Sequence, residues 1–575
     1  MSSKVKTISP AEFFAANRII AGFTNPAKSL FTSIRELIEN GLDAAEEAGR
    51  LPYIRIRLRR LDSSELDKII GITEKIKKSL RGLRKKGAEN DSKKREEETV
   101  AEFYELIVSD NGIGMSYKDI PILMGKVLTS TKYVLRQQRG RFGLGGKMVI
   151  IYSIQETNAP VEIYSARKED DFVSHYILKI DLVKNEPIII KSEKIPKKKF
   201  RDPWCKKFDS GTIIKVYLLG NWSGAKNNIL KYLQQLAVIT PYATFIFEDP
   251  TGGIHVFERA TNKMPKPPQI TKYHPSGIDT QTLIELLKST KAKTIRDFLT
   301  KELQRVGKKT AEKFLEIVDI DPLTPVSKIR KNDRLVSRIV EVARKFEFLS
   351  PDPSCLSPIG PELLEAGIRK IFKPEFVYVV QRKPFSYGGH PMIVEVGIAY
   401  GGDISPGIHL YRFANRIPLL YKERSDVSWK VIEEIDWGHY KIQKDSSPLA
   451  VFVSVVSTRI PFPETSKDFI DDIDILRKEI KLGLQEALRK LREHIRKKEK
   501  IQRRLRKKML LFQYTGALVR SVSSILRTDE KYEDSPYALD DVLYAMLVEI
   551  VDRSVSEELI KKESSSESLN IGEAD

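Results

Sequence analysis

Three short stretches carry residue types that could hold and act on a phosphorylated ligand. In RELIENGLDAAE, Glu36, Asn40 and Asp43 stand at i, i+4 and i+7, so a helix would display them as one polar stripe. In DNGIG, Asp110 is followed by Gly112 and Gly114, and glycines let the backbone approach a ligand closely. A carboxylate placed there can accept a hydrogen bond from an amino group such as that of adenine. In RGRFGLGGKM, Gly140, Arg141, Phe142, Gly143, Leu144, Gly145 and Gly146 precede Lys147 and an apolar run at 148–151. Glycines that open a helix present backbone N–H groups at its positive end, a cradle for phosphate. Thr131, Lys132, Arg136 and Arg139 come just before and are placed to close over such phosphates. Taken singly, each stretch has a plainer reading: an exposed polar face, an Asn-Gly turn, a flexible loop.

Two rival motifs fail. A P-loop needs Gly-Lys-Ser/Thr, and here Met148 follows the lysine; Arg141 also stands where its first glycine belongs. The dinucleotide fingerprint G-x-G-x-x-G fails because Gly143-Leu144-Gly145 leads to Met148.

The elements that would position these residues follow from periodicity. Leu30, Ile34, Leu37, Ile38, Leu42 and Ala45 recur at three- and four-residue spacing, which predicts a helix over 27–48. Apolar residues and arginines alternate over 53–58, a strand with one wet face, and a second strand at 103–108 leads into Asp110. An apolar helix opens after 140, strands recur through 150–183 and at 211–219, and a helix near 224–238 precedes a strand at 243–248. Helices over one sheet suggest a two-layer α/β sandwich for 1–264, interrupted by a charged insertion at 61–99. The Pro-rich 265–279 marks a boundary, and 280–346 is helical in pattern. From 375 strands return in FVYVVQ, MIVEVGIAY, HLYRFANRIPLLY, HYKIQ and AVFVSVVS, mostly antiparallel in appearance. One long helix follows, with Ile473, Leu476, Ile480, Leu484, Leu488, Leu491 and Ile495 in register, weakening toward 508. About 40 residues at ~1.5 Å each make a lever of roughly 60 Å. The 511–575 extension ends in a low-complexity, disorder-type tail.

Composition bounds the function. The chain has 575 residues with 98 Lys+Arg against 78 Asp+Glu, a net charge of +20. That basic balance favours polyanionic partners. Residues 489–508 hold 12 basic and 2 acidic residues, and 191–207 hold 8 and 2. Clustering of that kind suits phosphate contacts, or else a solvated face. The 61–99 insertion is nearly balanced, with 11 basic and 9 acidic residues, and reads as solvated. No continuous apolar run of membrane-spanning length and no secretory-type stretch is evident, so no membrane role and a cytoplasmic location are expected. The two cysteines, Cys205 and Cys355, are too far apart in sequence for a zinc motif, and no disulfide framework is expected.

E-x-x-x-N-x-x-D-A, D-x-G-x-G and G-x-x-G-x-G, in that order, resemble the GHKL ATPases, and Gly211-Thr212 opening TIIKVYLL matches their fourth motif. Within that superfamily the chain resembles the B subunits of topoisomerase VI-type enzymes. The resemblance rests on 9–48, on HPSGID with RVGKKTAEKF, on RFANRIPLLY and on STRIPF, and it covers about residues 9–510. It implies a GHKL ATPase domain at 1–264, a helix–two-turn–helix domain at 265–348 and a transducer at 349–510. It also implies ATP and Mg²⁺ as ligands. Glu36 would be the general base for the attacking water and Asn40 the ligand to Mg²⁺. Asp110 would read adenine, 140–147 would form the lid, and Lys467 of PFPETSKDF would be the switch lysine at the γ-phosphate.

No Tyr nucleophile with an acidic metal cluster is evident; Asp471, Asp472 and Asp474 open the long helix, where dipole compensation explains them. The resemblance places cleavage on a separate A-type partner in an A₂B₂ heterotetramer. The chain would then be an ATP-operated gate whose two B copies dimerise around a DNA duplex. The competing expectation is a GHKL clamp of repair or chaperone type that works without a cleaving partner.

Overall fold

The computed structural model describes residues 7–70, 101–130, 134–140, 144–201, 208–463, 467–526 and 541–550. Most of the charged insertion, together with Cys205, Thr131, Lys132, Arg141, Phe142, Gly143 and the low-complexity tail, lies outside the described residues.

Among the described residues the chain builds two sheets. The first contains β1 (Tyr53–Leu61), β2 (Glu102–Ser109), β3 (Val161–Ala166), β4 (Phe172–Asp181), β5 (Glu186–Pro196), β6 (Gly211–Gly220), β7 (Thr244–Glu248) and β8 (Ile254–Phe257). Their order is β5-β4-β3-β6-β2-β1-β7-β8, antiparallel except for the parallel pair β1–β7. The β1 alternation produces its burial: Ile54, Ile56 and Leu58 point to the core, while Arg57 and Arg59 pair with Glu248 and Glu105.

The helix Pro26–Glu47 lies over this sheet. Asn25 caps it by accepting from the Lys28 amide, with Pro26 in the first turn, an arrangement worth about 1 kcal/mol. Leu30, Ile34, Leu37, Ile38, Leu42 and Ala45 are all buried, so the periodicity marks the face that meets the sheet. The helices Gly145–Thr157 and Trp222–Ile239 complete the layer, with Met148, Val149, Ile150, Ile151, Tyr232, Leu233 and Leu236 in the same core.

Residues 280–345 form a helical cluster around Leu283, Phe298, Phe314, Leu315, Val336 and Ile339. The second sheet contains β9 (Phe376–Gln381), β10 (Phe385–Tyr387), β11 (His390–Tyr400), β12 (Gly407–Ala414), β13 (Ile417–Pro418) and β14 (Pro448–Ser457). The helix Pro361–Phe372 joins the two sheets' cores: a Cβ on Gly367 would stand 2.1 Å from the Val238 carbonyl oxygen. Only glycine permits that approach.

Two sequence expectations change, those for HYKIQ and for the end of the long helix. HYKIQ is not a strand: residues Gly438–Tyr440 make a 3-10 turn, and Tyr440 and Ile442 are buried without sheet pairing. The second sheet is mostly antiparallel, as expected, the exception being β12, which runs parallel to β14. The first part of the basic stretch 191–207 belongs to edge strand β5, where Lys191 pairs with Glu193 and Lys194 sits over Tyr117 and Phe172. Finally, the long helix runs Asp474–Leu526, beyond 508 and into the extension. The apolar stripe weakens there because Ile501, Leu505, Met509, Leu510, Tyr514 and Leu518 are exposed instead of packed.

Cα packing divides the chain into two compact units, 1–437 with 442–487, and 438–441 with 488–575. In the first, Leu476, Ile480, Leu484 and Ala487 of the helix Asp474–Leu526 are buried. A Cβ on Gly483 would come within 2.8 Å of Val396, so that glycine lets the helix sit close on β11. In the second, Lys441 pairs with Glu499. By length and composition alone, one stretch of Asp474–Leu526 is apolar enough to cross a membrane, although no continuous apolar run of membrane-spanning length exists in the sequence.

Candidate functional site

Strand ends and one helix converge. Asp110 directly follows β2, and its amide donates to the Thr212 carbonyl oxygen at 3.0 Å, locking it beside the start of β6. Its Oδ1 accepts from the amides of Gly112 at 2.8 Å and Thr212 at 3.3 Å. Oδ2 makes no hydrogen bond among the described residues. Burial pushes the Asp110 carboxyl up to about 7, against those two amide bonds. The glycines are structural necessities: Gly114 has φ +72°, and a Cβ there would stand 2.0 Å from the Ala166 carbonyl oxygen. A Cβ on Gly112 would strike Ala44 at 2.5 Å.

On the facing helix, Glu36 is oriented by its neighbour: an Arg35 guanidinium nitrogen donates to Oε1 at 2.9 Å. Its Oε2 lies so close to the Gly145 backbone that a Cβ there would be 1.7 Å away. A Cβ on Gly146 would meet the Asn40 side chain at 3.0 Å. The Gly145–Thr157 helix thus starts directly against the polar stripe of the first long helix. Lys147 of its first turn donates to the carbonyl oxygen and the hydroxyl of Thr129, and burial lowers its pKa to about 8.

Together these residues line a cavity of about 420 Å³. Glu36, Asn40, Asp43, Asp110, Gly114, Gly140, Leu144, Gly145, Gly146, Lys147, Thr212 and Lys467 all border it. Gly112 does not line it but shapes the Asp110 turn. The volume falls within the ~300–1,000 Å³ of small-molecule clefts. Lys467 reaches in from the loop after β14, has φ +55°, and donates to the Arg139 carbonyl oxygen at 3.0 Å. Its neighbour Asp468 pairs with Lys28 at 3.3 Å, which ties this loop to the start of the first long helix.

Arg139 does not close over the cavity as the sequence suggested. Its guanidinium is buried against Asp43 at 2.9 Å and Glu46 at 2.7 Å. Glu46 also accepts from the Tyr242 hydroxyl at 2.7 Å and pairs with Arg416 at 3.3 Å. Burial opposes the Glu46 charge, but the two arginines outweigh it and hold its pKa below the ordinary value. Two buried arginines thus balance Asp43 and Glu46, the arrangement that makes buried charge tolerable.

Several residues went unnoticed in the sequence. Arg35 and Glu39 flank Glu36, and Glu39 is buried, accepts from the Tyr232 hydroxyl at 3.1 Å, and is pushed up to about 7 by burial and by Glu36. Their i−1 and i+3 spacing from Glu36 was the available signal. Phe14, Ile20 and Phe23 also border the cavity, as does Arg167 after β3. Nothing in their local pattern distinguished them.

Among the described residues no three His, Cys, Asp or Glu side chains converge into a metal site. A hard ion such as Mg²⁺ is commonly held by one or two side-chain oxygens plus phosphate oxygens. Asn40, packed against Gly146 on the cavity wall, is a fitting oxygen donor for it.

The family model for the topoisomerase VI B subunit transducer matches residues 351–507. The B subunit of the type 2 DNA topoisomerase 6 from Metallosphaera sedula is 38% identical over 559 residues, covering 96% of each chain. The Saccharolobus islandicus protein of the same name is 38% identical over 543 residues, covering 93% of this chain and 94% of its own. The solved ATPase region of Saccharomyces cerevisiae topoisomerase II is 11% identical with a TM-score of 0.36, covering 86% of this chain and 99% of that one, a likeness too distant to bear on function. With that 38% identity sustained along nearly its whole length, the chain belongs to the family of type 2 DNA topoisomerase 6 B subunits.

Proposed function

We propose that this chain is the ATP-hydrolysing B subunit of a type IIB topoisomerase, working in the cytoplasm with a separate A-type partner that cuts DNA. The observation that carries this reading is the 420 Å³ cavity on which Glu36, Asn40, Asp110, Gly140, Gly145, Gly146 and Lys467 all converge. Asp110 Oδ2 receives the adenine amino group, and the amides at the start of the Gly145–Thr157 helix face the phosphates. Glu36, held in place by Arg35, takes a proton from the attacking water. Asn40 would hold Mg²⁺, which would supply neutralisation of phosphate charge.

Lys467 contributes a positive charge at the γ-phosphate. Because it arrives from the loop after β14, nucleotide occupancy and the position of the second sheet are mechanically coupled. Lys467→Ala is expected to slow hydrolysis by roughly 10²-fold, as loss of one charge-stabilising donor does, with little change in analogue affinity by calorimetry. Unchanged turnover would move the role elsewhere.

The domain division follows the same reading: an ATPase domain at 1–264, a helix–two-turn–helix domain at 265–348, a transducer at 349–510 and a 511–575 extension. ATP binding brings two B chains together around a double-stranded DNA segment, and an A₂B₂ assembly passes it through the cut made by the A-type partners. The experiment is reconstitution with the A-type partner on supercoiled plasmid. ATP-dependent relaxation is expected, with none when a non-hydrolysable analogue replaces ATP in multiple turnover. Duplex capture without any relaxation would favour a clamp without a cleaving partner.

A further inference from the structure

A second cavity, of about 260 Å³, adjoins the first and shares only Arg35, Glu36 and Lys467 with it. Asp110 has no part in it. Its walls come from the hairpin after β12 (Asn415, Tyr421) and the loop after β14 (Thr458, Arg459). It is smaller than the ~300 Å³ at which ordinary ligand clefts begin, and so too tight for a second nucleotide.

Its lining carries one more cation than carboxylates. Arg35, Arg139, Arg459 and Lys467 line it, against the carboxylates Glu36, Glu39 and Asp468. Glu36 is engaged by Arg35, Asp468 by Lys28, and the Arg139 guanidinium by Asp43 and Glu46, while burial and Glu36 raise the pKa of Glu39 to about 7. Among the described residues the Nε–H groups of Arg35 and Arg139 are buried without a hydrogen-bond acceptor, Arg35 Nε lying 3.7 Å from Glu39. A buried donor without an acceptor is costly, and an oxyanion would supply one. Arg459, in contrast, is exposed and forms no ion pair among the described residues, its charge acting on Asp279.

We propose that this cavity is the path by which inorganic phosphate leaves after cleavage, with Arg459 as the cation at its outer end. The proposal rests on the reading that the γ-phosphate lies beside Glu36. ADP, still held through adenine at Asp110, occupies the larger cavity. The phosphate set free at the Glu36 end has on its other side a space lined by Arg35, Lys467 and Arg459. Cations in series along a narrow low-dielectric passage focus the field that draws an anion outward.

The test follows one turnover of ATP by the full chain, with cleavage read by rapid quench and release read by a fluorescent phosphate-binding protein. Arg459→Glu is expected to cleave at the unsubstituted rate but to release phosphate at least ~10-fold more slowly, as charge reversal at an anion's path does. Arg459→Lys, which keeps the charge, is expected to release in step with cleavage; a merely structural loss would not be rescued this way. Release that keeps pace with cleavage in Arg459→Glu would overturn the route and leave the ATPase reading intact. Absence of cleavage by the unsubstituted chain would overturn the ATPase reading and the route with it.

Discussion

Glu36→Ala is expected to lower ATP turnover by about 10²–10⁴-fold, the usual contribution of a positioned general base, while nucleotide still binds. The structure explains why binding should survive. Glu36 lies at the junction of the two cavities, whereas Asp110 sits on a turn built by Gly112, Gly114 and the start of β6. Removing the carboxylate leaves that turn and the amides of the Gly145–Thr157 helix in place. It also leaves Arg35 with Glu39, 3.7 Å from its Nε, so the guanidinium keeps a charged partner. Gly145→Ala should fail in the same assay for a steric reason, because its Cβ would lie 1.7 Å from Glu36 Oε2 and push the carboxylate away. Steady-state phosphate release measured beside analogue affinity separates the two effects. Turnover within a few-fold of the unsubstituted chain would place the base elsewhere.

Asp110→Asn is expected to weaken nucleotide binding by roughly 10²-fold or more, because a site built to pair a substrate amino group fails sharply when one partner has the wrong polarity. Oδ1 already accepts from the Gly112 and Thr212 amides, so the asparagine must present its oxygen there. Its NH₂ group then faces the cavity, donor against the adenine donor. The reverse rotamer restores the adenine contact but sets NH₂ against two backbone N–H groups. Either way at least one buried donor loses its acceptor. Calorimetric titration with an adenine nucleotide analogue reads the loss directly, and unaltered affinity would mean that Asp110 does not face the base.

How far the sequence carried this picture depended on the range of the forces involved. The Pro26–Glu47 helix, β1, and the strand β2 that leads into Asp110 were legible because burial on one face imposes a period, and the period is local. The Glu36–Asn40–Asp43 stripe was legible for the same reason. What Arg139 does was not, because its partners Asp43 and Glu46 lie more than 90 positions earlier, and a basic residue before a glycine loop looks the same whether it meets a phosphate or a carboxylate. HYKIQ alternates like a strand, yet Lys441 has φ +62° and the chain turns there. Local pattern could not show that no sheet edge was available. The far end of the long helix was misjudged because its stripe stops being buried while the backbone stays helical. The period of apolar residues reports packing and is silent about a helix that continues without it.

The second cavity had no sequence signature at all. Its walls bring together 31–39, 138–139, 414–421, 458–463 and 467–468, segments far apart along the chain. Arg35, beside the conspicuous Glu36, reads in isolation as helix-surface charge. In the fold it touches both cavities.

The most direct measurement titrates the Glu36→Ala full chain with ATP and Mg²⁺ in a calorimeter and assays the same sample for released phosphate. Saturable heat with almost no phosphate is the expected result, since the adenine turn and the phosphate-facing helix start remain while the base is gone. A flat titration, or phosphate released at the unsubstituted rate, would contradict the claim that these distant stretches form one nucleotide site worked by Glu36.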